Sequence, residues 1–234
     1  MPARPGGSGK ISPEWFSSDG RLRYVRCHIC RRRCLGLDTS TTADAIGIGG
    51  SLSSALMASW EDGSAAKSLH AGFSAHAAIN AAFCAKNGVS GPQGVFDGRF
   101  GFFKAHVQDK DYSFAFARAR DRLGEDWEAL KIAPKAYPCG HYIQPLIEAA
   151  LVLRGQHDIT PEQIVSIRCL MPAHVMPLVA EPVAEKRRPK TAFHGRFSLQ
   201  HAMTEAMIQG TLDNRSFDTP NLTNPRYNDL ADKV

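Results

Sequence analysis

The chain lacks what a membrane protein needs. No run reaches the about 20 consecutive apolar residues of a bilayer helix, and the longest apolar stretch of the second half, Leu146 to Leu153, is interrupted at Glu148. The start shows no basic segment leading into an apolar core and a small-residue cleavage site. On that pattern the protein is expected in the cytoplasm, with its six cysteines as reduced thiols. Three catalytic signatures are also missing: the serine elbow of a strand-turn-helix, the phosphate-cradling glycine loop and the dinucleotide fingerprint. Gly47, Gly49 and Gly50 do not supply the last, because they lie inside a helical stretch with no strand before them.

Excess charge is confined to one end. Residues 1 to 35 hold eight basic and two acidic side chains, so the net charge of +5 arises there and the rest of the chain is one charge negative. A basic tail on a neutral body gives the folded part no phosphate-binding surface, so no nucleic-acid partner is expected. Within that tail, Cys27, His28, Cys30 and Cys34 open a CxxC step that no second CxxC or histidine pair completes. A structural zinc takes four ligands at about 2.0–2.3 Å, so the reading is no metal site. Cys84, Cys139 and Cys169 are scattered through the remainder.

What is present is enough for a packed core: 234 residues, 43% of them hydrophobic and 22% charged. The Gly-, Pro- and Ser-rich opening and the Arg/Cys-rich segment after it, together residues 1–34, read as disordered. From Leu35 the pattern turns helical. Asp38 to Thr42 offer capping side chains for a helix reaching from Ala43 to Trp60. Its glycines imply close approach of a neighbouring helix or a ligand, since each costs up to about 1 kcal/mol of helix propensity.

A second helix runs from Ala65 to Lys86, with Leu69, Phe73, His76, Ala77, Asn80, Ala81 and Cys84 at three- and four-residue steps on a face expected to be apolar and buried. On that face His76 reads as a core histidine. Shorter helices are expected at 102–107, 112–123, 142–153, 197–210 with Ser198 as cap, and from Pro225 onward. The β-branched Ile164, Val165 and Ile167, bounded by Pro161 and Pro172, predict a strand over 164–171. The fold class is therefore mainly α, all helix at first and then mixed helix and strand.

Two segments place cations on stiff elements. Lys67 and His70 lie three apart, hence on one helix face; Lys67 reads either as a side chain reaching solvent or as a cationic grip on a carboxylate, with His70 beside it. Lys135-Ala136-Tyr137-Pro138-Cys139-Gly140-His141 puts a lysine and a histidine on either side of a rigid turn. It reads as a surface loop with Cys139 as a small buried apolar residue, or as a positioning turn.

Taken together, these segments resemble the MmgE/PrpD family. The matches are Leu35 to Asp38, Ala45 to Ser51, Met57 to Ser64, Lys67 to Gly72, Val95 to Phe103, the Lys135 to Pro138 turn and Phe197 to Leu199, in the family's order. The resemblance implies a cofactor-free lyase or isomerase of small polycarboxylates such as 2-methylcitrate, with no metal or organic cofactor. It also implies a homodimer whose subunit joins a large helical domain to a smaller α+β domain. Here those would be part of the helical domain at 35–134 and part of the α+β domain at 135–234, after the unrelated segment 1–34. By the resemblance Lys67 and Lys135 are catalytic: Lys67 binds carboxylate, Lys135 binds carboxylate or transfers a proton, and His70 and His141 contact substrate. Nothing before Leu35 resembles the family's first half, which carries further catalytic histidines, so the expectation is a chain truncated at both ends and inactive by itself. The competing expectation is a non-catalytic module that pairs through exposed helix faces.

Overall fold

The computed structural model describes residues 35–53, 56, 58–107 and 124–234. The Cys/Arg-rich segment with Cys27, Cys30 and Cys34, and the helix expected at 112–123, lie outside them. The helices are α1 (Thr39–Ser51), α2 (Ser59–Asp62), α3 (Ala66–Lys86) and α4 (Phe102–His106), followed by α5 (Gln144–His157), α6 (Met176–Val179) and α7 (Val183–Arg187). Then come α8 (Ala192–Arg196), α9 (Leu199–Gln209), α10 (Thr219–Leu222) and α11 (Pro225–Ala231). The protein is mainly α. Among the described residues no helix is long and apolar enough to cross a membrane. The chain divides into two compact units, residues 1–57 with 66–123, and residues 58–65 with 124–234.

In the first unit α1 packs against α3. Asp38 caps α1, its Oδ1 accepting the Thr41 N–H at 2.7 Å, so the helix starts four residues before Ala43. It ends at Ser51 rather than continuing to Trp60, because the amides of Leu52 and Ser53 turn back to the carbonyls of Gly49 and Gly50. The glycines do mark a close approach, but the neighbour is a turn. A Cβ at Gly47 would stand 2.7 Å from the Pro92 carbonyl oxygen, and one at Gly50 would overlap Val95. Asp44 ties the same turn down by accepting the Gly91 N–H at 2.9 Å and the Gln93 amide at 3.2 Å.

The expected inward face of α3 is overturned. The buried residues are Ser74, Ala78, Ala81, Ala82 and Ala85, a stripe at three- and four-residue steps that keeps only Ala81 of the expected face. Leu69, Phe73 and Phe83 point outward, Phe73 at 64% exposure. His76, Asn80 and Cys84 are exposed as well. His76 is therefore a surface histidine, with the Asn80 amide 3.4 Å away. The α3 alanines pack with the start of α1: Ala82 and Ala85 share a cluster with Leu37 and Ala45, with Leu35 and Ile48 against it.

The second unit is built around α9, where Leu199 to Met207 are all buried. It packs against α5, α7, α8 and α11, and burial on nearly every side is the signature of a core helix. Ser198 caps it as expected, accepting the His201 N–H at 3.0 Å. Ile143, Ile147, Val175, Val179 and Phe217 complete the core at 0–1% exposure.

The strand expected over 164–171, and with it the β part of the second unit, does not form among the described residues. The segment has no partner strand: its Ile167 N–H donates to the Lys233 carbonyl at 2.8 Å and the Lys233 amine to the Ile164 carbonyl at 2.7 Å. Val165 stands 88% exposed. β propensity is realised only against cross-strand neighbours, and these are missing.

Two glycine substitutions separate packing from propensity. Gly72 on α3 has nothing within 4 Å of a would-be Cβ, so Gly72→Ala should stabilise the protein by up to about 1 kcal/mol. Gly47→Ala gains the same propensity but drives a methyl into backbone, and overpacking costs about 1–3 kcal/mol or more. The expected outcome in urea unfolding is a raised midpoint for Gly72→Ala and a lowered one for Gly47→Ala; equal shifts would contradict the close approach at Gly47.

Candidate functional site

Lys67 sits in the first turn of α3 and His70 one turn further on. Both are half-buried. The His70 Nδ1 is buried with no hydrogen-bond partner among the described residues, while its backbone carbonyl accepts the Ser74 hydroxyl at 2.7 Å. A buried ring nitrogen left without a partner is costly, and such groups are normally met by water or a ligand. α3 thus holds an amine and an imidazole on one stiff face.

Lys135 and His141 lie at the ends of the turn that precedes α5, in the second unit. Both side chains are exposed. The Lys135 amine donates to the Cys139 carbonyl at 2.9 Å, folding the lysine across its own turn. His141 opens a short 3-10 turn over His141–Ile143, its ring edge-on to Tyr142 with centroids 6.2 Å apart. Lys67 and His70 thus belong to the first unit and Lys135 and His141 to the second.

The turn between Lys135 and His141 is held from below. Cys139 is 2% exposed and Ile143 fully buried in the core of the second unit, and the Gly140 N–H donates to the Arg196 carbonyl at 2.7 Å. Burial pushes the Cys139 thiol up to about 11, which outweighs the lowering influence of Lys135 nearby. It is an inert packing thiol and no nucleophile.

One residue that the sequence reading passed over organises this turn. The Gln144 side chain accepts the Tyr137 N–H at 3.0 Å through Oε1 and donates to the Tyr137 carbonyl at 2.7 Å through Nε2. It also reaches the Cys139 sulfur at 3.3 Å. The Tyr137 hydroxyl donates to Glu148 one turn further along α5; this hydrogen bond, together with burial, raises the tyrosine pKa. A glutamine at the first position of a helix, just before Pro145, is a weak signal by itself; only the fold shows both ends of its amide engaged.

The Cys27–Cys34 cluster lies outside the described residues; among those described, no three His, Cys, Asp or Glu side chains gather to hold a metal ion.

Fold and site together define a mainly helical protein that presents amine and imidazole groups on stiff elements. The MmgE/PrpD N-terminal domain matches residues 32–115 and the MmgE/PrpD C-terminal domain matches residues 137–234. The chain belongs to the MmgE/PrpD family. Lys67 and His70 fall within the first match and His141 within the second, while Lys135 lies between them. The chain is also similar to the cis-aconitate decarboxylase-like protein oryM of Aspergillus oryzae, at 25% identity over 208 residues. That stretch is 86% of this chain and 43% of the fungal protein, so the chain spans less than half the length of that relative.

The clamp makes a chemical prediction. With iodoacetamide at neutral pH, exposed Cys84 is expected to label at least about tenfold faster than Cys139, since thiolate is the reactive form. Gln144→Ala should release the turn and raise the Cys139 rate by about tenfold, read site by site by mass spectrometry. An unchanged rate would show that the clamp does not hold the turn closed.

Proposed function

We propose that this MmgE/PrpD chain binds small polycarboxylates for a lyase or isomerase reaction that uses no metal or organic cofactor. Lys67 and His70 form a carboxylate grip, Lys135 binds carboxylate or moves a proton, and His141 contacts substrate. The carrying observation is the unmet His70 Nδ1 one turn from the Lys67 amine: a carboxylate oxygen would pair with a protonated Nδ1 while the amine neutralises its charge. The chemistry fits such groups. Removing a proton or CO₂ beside a carboxylate builds negative charge, which fixed cations stabilise, and proton transfer needs a group titrating near neutrality. Dehydration of 2-methylcitrate and decarboxylation of cis-aconitate are the reactions of this class that the proposal puts first. A cytoplasmic location completes it.

Calorimetric titration of the purified chain with cis-aconitate, citrate and 2-methylcitrate tests the proposal. At least one should bind saturably, and Lys67→Ala should weaken it by about tenfold or more, the loss of one charge-assisted contact. Any turnover should disappear in Lys135→Ala. Binding that is indifferent to Lys67, or none at all, would overturn the reading.

A second reading, pairing with another copy of the chain, is favoured by the outward Leu69, Phe73 and Phe83 of α3. Contiguous apolar surface promotes association. Light scattering should give at least a dimer mass, and Leu69→Gln combined with Phe73→Gln should lower it; a monomer before substitution would end this reading.

A further inference from the structure

The first unit contains a hollow that neither Lys67 nor His70 lines. It has a volume of about 400 Å³ and lies beside the end of α1, between Ser51 and Ser53 on one side and Arg99, Phe100 and His106 on the other. We propose that this hollow binds a small hydroxylated organic anion, a carboxylate or a phosphate ester, its charge held by Arg99 and its hydroxyl by His106. Its size lies within the about 300–1,000 Å³ of small-molecule sites.

The walls are fixed by backbone. The Gly101 N–H closes a turn on the Gly98 carbonyl at 2.8 Å, and a Cβ at Gly101 would stand 2.8 Å from the Phe96 carbonyl oxygen. Val95 occupies the place of a Cβ at Gly50. The rim is therefore stiff where Arg99 leaves it.

The side chains on this frame favour an anion. Arg99 lies with its guanidinium carbon 5.2 Å from the Phe100 ring centroid and forms no ion pair with the described residues. Its planar fork matches a carboxylate or a phosphate. His106 is oriented from behind: Nδ1 lies 2.9 Å from the Phe102 carbonyl oxygen and the ring stacks on Phe102 with centroids 4.3 Å apart. A carbonyl only accepts, so Nδ1 carries the proton and Nε2 is the nitrogen left for a ligand. The Ser51 hydroxyl spends its hydrogen on the Gly47 carbonyl at 3.2 Å, so it meets a ligand as an acceptor. Among the described residues no acidic side chain lines the hollow. One cation, one imidazole nitrogen and a hydroxyl acceptor together ask for an anionic group with a neighbouring hydroxyl.

Titration of the full chain with glycolate and with glycerol 3-phosphate, against uncharged glycerol, tests the assignment and distinguishes the two anion sources. At least one anion should bind saturably and glycerol should not. Arg99→Gln, at an exposed position, should weaken that anion by about tenfold or more. His106→Phe, which keeps the stack on Phe102 and removes Nε2, should weaken it several-fold and serves if the arginine variant proves unstable. Lys67→Ala should leave the affinity unaltered. Absence of binding by both anions, affinity indifferent to Arg99 and His106, or a loss that follows Lys67→Ala instead would each overturn the proposal.

Discussion

The first unit depends on the near contact between the backbone of α1 and its surroundings at positions that carry no side chain. Gly47 and Gly50 let the 91–95 segment settle directly on the helix. Each glycine costs the isolated helix about 1 kcal/mol relative to alanine. That loss is offset by packing that only a bare backbone permits, and by the Asp44 carboxylate holding the Gly91 amide. In the same unit, α3 buries Ala82 and Ala85 against Leu37 and Ala45, and the same rotation leaves Lys67 and His70 half-buried and Leu69, Phe73 and Phe83 outward.

The second unit reaches a stiff site by the opposite route. Its centre is a helix buried on nearly every side, packed by bulky groups such as Ile143, Ile147 and Phe217. The Lys135 turn is not part of that core but is rooted in it by Cys139 and Ile143. An exposed lysine on an exposed turn would ordinarily wander among rotamers; here its amine is tied at 2.9 Å to the Cys139 carbonyl of a turn rooted in the core.

How much of this was legible in the sequence differs by element. Helices with a local cause were readable: Asp38 and Ser198 are capping residues, and both accept the N–H three residues on. Residue type and spacing single out Lys67, His70, Lys135 and His141 as candidates. The inward face of α3 was not readable, because the usual rule buries the largest apolar side chains and here alanines are buried while Leu69, Phe73 and Phe83 stay exposed. The strand at 164–171 failed for a related reason: β-branched residues state a preference that a partner strand must realise. Gln144 escaped notice because its role lies in both ends of one amide meeting both ends of one peptide group, which composition cannot show.

That a glutamine performs this task follows from the charge it would otherwise bring. Tyr137 offers one donor and one acceptor, and an amide side chain returns one of each, so the clamp is satisfied without ionisation. A glutamate there would accept the Tyr137 N–H but leave the carbonyl without its donor. It would also place a negative charge beside the carbonyl that receives the Lys135 amine, and oppose any anion approaching that lysine. A lysine or arginine would donate to the carbonyl, leave the N–H unmet, and draw the anion away from Lys135. The neutral clamp holds the turn and adds no charge of its own beside Lys135, which suits a binding or proton-transfer role for that lysine.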